Sequence, residues 1–490
     1  MFVPVNLSDT QSVRCAFRSH TPPLCVKLED TLILTNPLFE SLLLLVKRNP
    51  LFLLRTLLWL FRGLAVLKAE VASRVSLDPN FIPYDHELIA WLKAERTAGR
   101  TIWLCADSNE LPAARIAQHL RLFDGVLASS RNINFGTSVK VSRLVAQFGT
   151  GGFDYCGNDP GDLVIWKQAR NAVIVRGGQR LAEQTARYVP TLKVSPPRPS
   201  RLKVVFRALR PHQWAKNGLA IVPLLAAHHA NNPPAVLASI LAVVAFCLCA
   251  SSVYVLNDLL DLEADRANPH KCKRPFAAGH LPLSVGFLMA PALLGLAFGT
   301  AALLPIYFTV VLGGYYALTL AYSFALKGQV LIDALALACL YTLRIVAGAA
   351  AVDVSLSFWM LLFSVFLFLS LAFVKRYAEL DALRRRDQFR AAGRGYEVRD
   401  LPILQSLGCA SGYLSVLVLA LYVDSPEIEA LYRHPKIIWA LCVLMLFWIS
   451  RVWMVAQRGA MHDDPVVFAL KDKVSIGVGL LSMLMAALAL

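Results

Sequence analysis

The sequence predicts a two-part chain: an N-terminal α/β domain on a parallel sheet, then an all-α integral membrane domain of about nine transmembrane helices. Three observations carry this. Of 490 residues, 56% are hydrophobic and 17% charged, whereas soluble domains carry roughly a quarter charged residues. The shortage is local, because residues 217–256 and 279–326 contain no Asp, Glu, Lys or Arg while the first 200 mix charged and apolar positions. Within those 200, short β-type runs alternate with helical stretches, the pattern of a parallel α/β sheet.

The β-type runs, in order, are PLCVKLE, TIWLCAD, DGVLAS, FDYCGN and NAVIVR. Between the first two lies FESLLLLVKRNPLFLLRTLLWLFRGLAVLKAE, very apolar but interrupted by Lys47, Arg48, Asn49 and Pro50. Each piece is too short to span a bilayer, so the segment either lies in the membrane interface or packs on the sheet as a helical insert. The first twenty residues lack the apolar core of a signal peptide, which puts the N-terminal domain in the cytoplasm. The Pro-rich, basic VSPPRPSRLK separates residues 1–195 from 205–490, with 196–204 as linker. Beyond it, apolar stretches of spanning length fall near 213–230, 234–258, 282–303, 306–326, 329–351, 357–378, 402–423, 435–453 and 472–490.

Basic residues follow the even-numbered spans: His270, Lys271, Lys273 and Arg274, then Lys327, then Lys375, Arg376 and Arg384 to Arg386, then Arg451, Arg458, Lys471 and Lys473. The positive-inside rule turns these loops to the cytoplasm of an inner membrane. They also hold part of the +16 net charge, which in so apolar a chain points to lipid headgroups and a small anionic substrate and excludes nucleic acid. Ten cysteines without paired spacing read as reduced, mostly buried side chains.

The strongest chemical signal is NDLLDLEADRANPHKCKRP, residues 257–275. Asn257, Asp258, Asp261 and Asp265 recur at three- and four-residue spacing, which places their oxygens on one helix face. Carboxylates so gathered are tolerated around a divalent cation, and Mg2+ with oxygen ligands usually brings substrate phosphates; Lys271, Lys273 and Arg274 follow to hold the outer phosphate oxygens. A second cluster, YSFALKGQVLID, offers Tyr322, Lys327 and Asp333, with Arg344 three turns further along the same face. A third, KRYAEL, contains Lys375, Arg376 and Tyr377.

These motifs resemble the UbiA superfamily of intramembrane prenyl-group transferases, over residues 205–490. ALRPHQWAKN, containing Lys216 and Asn217, matches at the first span, and Asn257 to Asp265 match the NDxxDxxxD motif. The details are closest to the decaprenyl-phosphate phosphoribosyltransferase branch, through DxEADRxxPxKxxRPxAAG, YSFxLKxxxxxD, LRxxAGA and KRYAEL. Asn268 stands where that branch usually has His, and Leu337 where aromatic-acceptor enzymes carry the second Asp of a DxxxD pair after Asp333. The resemblance implies Mg2+ held by Asn257, Asp258, Asp261 and Asp265, with Asp258, Asp261, Asp265, Lys327 and Asp333 catalytic. It implies substrate contacts from Lys216, Asn217, Asn257, Arg266, Lys271, Arg274, Tyr322, Arg344, Lys375, Arg376 and Tyr377. The implied reaction moves a 5-phosphoribosyl group from phosphoribosyl pyrophosphate to a polyprenyl phosphate; the alternative moves a prenyl chain from a prenyl diphosphate to an aromatic or other small acceptor. A transporter is disfavoured because the acidic residues gather at one end of a span rather than along a path through it.

The N-terminal domain resembles haloacid-dehalogenase-like phosphatases, a Rossmannoid fold. Their DxDGT motif aligns with Lys27, Leu28, Glu29, Asp30 and Thr31; Ser108 and Lys140 fall at the phosphate-binding hydroxyl and lysine; the closing GDxxxD reads Gly157, Asn158 and Asp162. Lysine cannot form an aspartyl phosphate, so the resemblance implies a phosphatase-like domain without phosphatase activity.

Overall fold

The structure is a computed structural model that describes residues 21–49, 51–195, 200–269, 271–389, 394–425, 432, 434–461 and 464–489. His270 and residues 196–199 of the expected linker lie outside the described residues. The chain forms two compact units, one of residues up to Ala208 with Asp258–Phe287, the other of Leu209–Asn257 with Leu288–Leu490.

The first unit is built on six parallel strands: β1 (Leu24–Lys27), β2 (Ile102–Asn109), β3 (Gly125–Ser129), β4 (Asp154–Gly157), β5 (Ala172–Ile174) and β6 (Thr191–Val194). Their order, β3-β2-β1-β4-β5-β6, is doubly wound and reverses between β1 and β4. The five expected runs are strands. β6 escaped the sequence reading because it is a half-exposed edge strand beside the Pro-rich stretch. Leu24, Val26, Ile102 and Leu104 fill one face of the sheet, and Cys25, Cys105, Tyr155 and Trp166 the other.

Helices α1 (Pro37–Arg48), α2 (Phe52–Phe61) and α3 (Leu64–Arg74) form the insert after β1. They enclose a small core of Leu45, Trp59, Leu67, Val71 and Val75. Then come α4 (His86–Thr97), α5 (Glu110–Leu120), α6 (Thr137–Phe148) and α7 (Gly178–Ala186). The same unit includes the end of α8 (Pro233–Leu260) and α9 (Leu262–Ala267). Gly279, at φ +67°, lies so close to Leu34 that a Cβ would sit 2.3 Å from its side chain, which seats the segment after α9 against the chain just beyond β1.

The second unit holds the rest of α8 with α10 (Leu283–Ala301, from Leu288), α11 (Ile306–Phe324), α12 (Ile332–Val352), α13 (Phe358–Arg384), α14 (Leu401–Val423), α15 (Pro435–Gln457), α16 (Pro465–Lys471) and α17 (Lys473–Ala489). Among the described residues seven helices are long and apolar enough to cross a membrane, or eight if α16 and α17, bent by 78°, form one broken span. Among the described residues that is one or two fewer than the expected nine. The stretch 213–230 is a tight 3-10 run, Pro211–Ile221, followed by the five-residue helix Val222–Ala226, because Pro211, Pro223 and the His228–Asn232 segment interrupt helix propagation. Small residues let helices close on one another. At Gly408 a Cβ would strike the Trp453 ring at 2.0 Å, and at Gly348 it would strike the Ala220 carbonyl at 2.1 Å.

Candidate active site

The acidic motif does not lie on one helix face. Asn257 and Asp258 occupy the last turn of α8; the backbone leaves helical geometry at Asp261 (φ −104°, ψ 20°) and resumes as α9, which carries Asp265. The break sets Asp261 between the two helices that carry Asp258 and Asp265. Asp258 and Asp265 are buried and converge on one nitrogen, Arg274 Nη1, at 3.1 and 2.6 Å. Asp261 accepts instead from Lys47 Nζ on α1 at 3.3 Å, and that ammonium also donates to the Leu260 carbonyl at 2.8 Å. Among the described residues no three Asp, Glu, His or Cys side chains are gathered as a metal cluster. The donor set still suits a hard cation: oxygens only, with two carboxylates already aimed at a single positive point that the Arg274 guanidinium fills. Lys271 is exposed in the turn that follows.

Arg266, expected on substrate, is committed elsewhere. Its guanidinium grips both oxygens of Glu40 at 2.6 and 3.0 Å and donates to the carbonyls of Ala277 and Phe81. It ties α9 to α1.

The second unit contains three buried polar networks. In the first, Lys216 Nζ and Lys375 Nζ both donate to Asp464 Oδ2, at 2.8 and 2.9 Å, and Tyr341 Oη donates to Oδ1 at 3.0 Å. Two ammonium groups, Lys216 buried and Lys375 31% exposed, share one buried carboxylate, a positive centre that suits a phosphate. In the second, Arg344 Nε donates to Asn217 Oδ1 at 3.0 Å and Nη2 to Tyr315 Oη at 2.8 Å, with the guanidinium over the Tyr315 and Tyr341 rings. The contact between Gly348 and Ala220 allows this, since it brings the Pro211–Ile221 run against α12. In the third, Arg376 donates to Asp333 Oδ2 at 2.5 Å, to Glu379 Oε2 at 2.7 Å and to Tyr322 Oη at 2.9 Å, while Tyr396 Oη donates to Asp333 Oδ1 at 2.6 Å. Tyr396 Oη also accepts the N–H of Leu331, a bulky residue held at φ +67° just before α12, so this corner stores backbone strain.

Asp333 and Arg344 share α12 but belong to different networks. Eleven residues of helix separate them by about 16 Å, and each is satisfied locally.

The comparisons with known proteins give the context. The UbiA prenyltransferase family matches residues 218–471, more than half of the chain. The chain belongs to this family. "Uncharacterized protein y4nM" of Sinorhizobium fredii is 36% identical over 461 residues, 94% of this chain and 89% of its own. A protein named decaprenyl-phosphate phosphoribosyltransferase, from Mycolicibacterium smegmatis, is 33% identical over 280 residues, 55% of this chain and 87% of its own. A solved UbiA homolog from Archaeoglobus fulgidus, described as bound to DMAPP and Mg2+, covers 58% of this chain and 96% of its own at 17% identity, with a TM-score of 0.45.

As a UbiA-family transferase the protein is a multi-pass integral membrane protein, and its expected residues divide clearly. Lys216 and Lys375 meet on one carboxylate, and Asn217 meets Arg344. Asp333, Tyr322 and Arg376 form a closed network. Lys327 sits half-buried in the turn Leu326–Gly328. Tyr377 belongs to the helix core, its ring edge-on to Trp453 at 5.9 Å. The sequence reading missed Asp464, Tyr341, Tyr315 and Tyr396. Asp464 had a signal: an Asp directly before Pro465 is a helix N-cap, and its side chain accepts from the Val466 N–H.

In the α/β unit, Lys27 ends β1 and Asp159 and Asp162 follow β4, at the point where strand order reverses. The Lys27 ammonium pairs with Asp159 and with both oxygens of Asp162 at 3.0 Å. Glu29 accepts from the Asp107 and Ser108 N–H groups at 2.9 and 2.7 Å, and Lys140 pairs with Asp107 at 2.7 Å. Burial works against the Lys27 charge, but Asp162 and Asp159 outweigh it and raise the ammonium above an ordinary lysine.

Proposed function

We propose that the protein transfers a 5-phosphoribosyl group from phosphoribosyl pyrophosphate to a polyprenyl phosphate, releasing diphosphate. The observation that carries this reading is the commitment of Asp333. Both its oxygens are taken by Arg376 and Tyr396, and nothing pairs with it as a second acidic motif of the kind aromatic-acceptor UbiA enzymes resemble one another in having. The acidic chemistry is left to the motif itself: Asn257, Asp258 and Asp265 would hold Mg2+, joined by Asp261 when it exchanges Lys47 for the ion. That ion, when bound, supplies positive charge to the departing diphosphate. The relative named decaprenyl-phosphate phosphoribosyltransferase supports the same choice.

In this reading Lys216 and Lys375, with Arg344, neutralise phosphate groups, and Lys271, Arg274 and Lys327 serve the cytoplasmic end. The C1–O bond to diphosphate breaks, C1 becomes oxocarbenium-like, and an oxygen of the lipid phosphate forms the new bond. The nucleophile is already anionic, so no strong general base is needed. The basic loops face the cytoplasm. The α/β unit, read as haloacid-dehalogenase-like, is assigned no phosphatase activity, because Lys27 stands where a nucleophilic carboxylate would be and is locked between two acids.

The test uses the purified full chain with labelled phosphoribosyl pyrophosphate and a panel of lipid phosphates. Label enters lipid only with Mg2+ present, and Asp258→Ala and Asp261→Ala abolish it. Transfer that survives these substitutions removes the acidic motif from the reaction, and transfer that proceeds only from a prenyl diphosphate to an aromatic acceptor replaces this reading with the prenyltransferase alternative. Phosphatase turnover by the full chain that Lys27→Ala abolishes would overturn the assignment of the α/β unit.

A further inference from the structure

The α1–α3 insert buries Trp59 under Phe52 and the Arg74 guanidinium, so α2 has an inner face. Its outer side is apolar as well. Leu53, Leu54, Leu57, Leu58, Leu60 and Phe61 are between 51% and 90% exposed. Ten residues of helix extend about 15 Å, half of a bilayer's hydrocarbon thickness, so α2 cannot cross a membrane.

Its charges indicate what covers this side. From residue 41 to residue 69 there is no Asp or Glu, and Arg48, Arg55 and Arg62 recur at seven-residue intervals and are exposed. Arginines beside an exposed apolar surface match anionic headgroups above acyl chains. A second copy of the same face would bring arginine against arginine. The α/β unit is joined to the membrane-spanning unit by chain crossings near residues 208, 257 and 287, so a bilayer is always within reach at high effective concentration.

We propose that α2 lies in the cytoplasmic leaflet of the bilayer, parallel to its surface, with its leucines and Phe61 among the acyl chains and Arg55 and Arg62 at the phosphates. The insert is then an anchor that holds the soluble unit against the membrane.

The test places the photo-crosslinking residue benzoylphenylalanine at Leu57, at Phe61 or, as a water-facing control, at Lys93 in the full chain, reconstituted in nanodiscs of phosphatidylcholine with or without phosphatidylglycerol. Positions 57 and 61 are exposed, so the substitutions leave the fold intact; a label at Leu54 repeats the measurement independently. The expected result is about tenfold more phospholipid adduct at 57 and 61 than at 93, as an interfacial helix requires. Phosphatidylglycerol raises the yield, and R55E/R62E removes that rise. Lipid adducts no more frequent than at Lys93, or adducts mainly to a second protein chain, overturn the proposal.

Discussion

Both carboxylate oxygens of Glu40 on α1 receive the guanidinium of Arg266 on α9, across 226 residues of sequence. The two side chains are 5% and 7% exposed. Arg266 lies one residue beyond Asp265, so the pair fixes the second half of the acidic motif to α1 of the same unit. Removing one member of such a pair strands a buried charge. Glu40→Ala should therefore destabilise the α/β unit by about 3–5 kcal/mol, seen as a lower thermal midpoint. The double change Glu40→Leu with Arg266→Met should cost much less, because no charge is left unpaired. Equal losses in single and double variants would show the pair to be incidental.

Asp464 carries the second prediction. It separates the Lys216 and Lys375 ammonium groups, which would otherwise repel each other, so Asp464→Asn should lower kcat/KM for the proposed phosphoribosyl donor by about 100-fold, the scale of a lost charge-assisted contact. Lys216→Met and Lys375→Met should each raise KM more than they lower kcat. Unchanged kinetics in all three would remove this cluster from the site.

The sequence made some of this legible and hid the rest for definite reasons. Five strands and most of the spans follow from patterns a single segment contains: a β-branched run, or twenty apolar residues. The acidic motif was visible as composition, but its geometry depends on the break at Asp261, which local spacing does not encode. Asp464 was legible as the N-cap before Pro465, but its place in the site comes only from Lys216 and Lys375, both far away in sequence. Arg266 and Tyr377 matched a motif, and the structure places the first on Glu40 and the second against Trp453. Motif spacing cannot distinguish a side chain held for substrate from one held for packing.

The Lys27 cluster predicts a pH-dependent stability. Burial raises Asp159, but Lys27 overrides it and holds that carboxyl below the ordinary range; burial raises Asp162 above it. A depressed Asp159 contributes stability that is present above its unfolded pKa of about 3.9 and is lost as pH falls through the folded value. A raised Lys27 contributes stability that is full below an unfolded pKa of about 10.4 and is lost as pH rises through the folded value. Asp162 acts in the opposite sense to Asp159, losing its contribution as pH rises through its own raised pKa. In Lys27→Met the two carboxylates face each other without a cation. Its thermal midpoint should fall furthest below that of the unsubstituted chain near neutral pH, and the gap should narrow towards a pH of about 4 as the acids take up protons. A gap that is constant with pH would mean that Lys27 acts by packing alone.

Gly348 gives the last prediction, because it connects helix packing to the candidate site. A Cβ there would lie 2.1 Å from the Ala220 carbonyl oxygen and 2.8 Å from its carbon, and backbone cannot swing aside as a flexible side chain can. Gly348→Ala must therefore push the Pro211–Ile221 run away from α12, at a cost of about 1–3 kcal/mol. That run carries Asn217, which holds Arg344, and Lys216, which shares Asp464. The substitution should lower the thermal midpoint and also raise KM for the phosphoribosyl donor, although residue 348 itself touches no phosphate. Gly313→Ala, on α11 with open space around its Cβ, should do neither. If Gly348→Ala lowered stability but left KM unchanged, the positions of Lys216 and Asn217 would have to be independent of this contact.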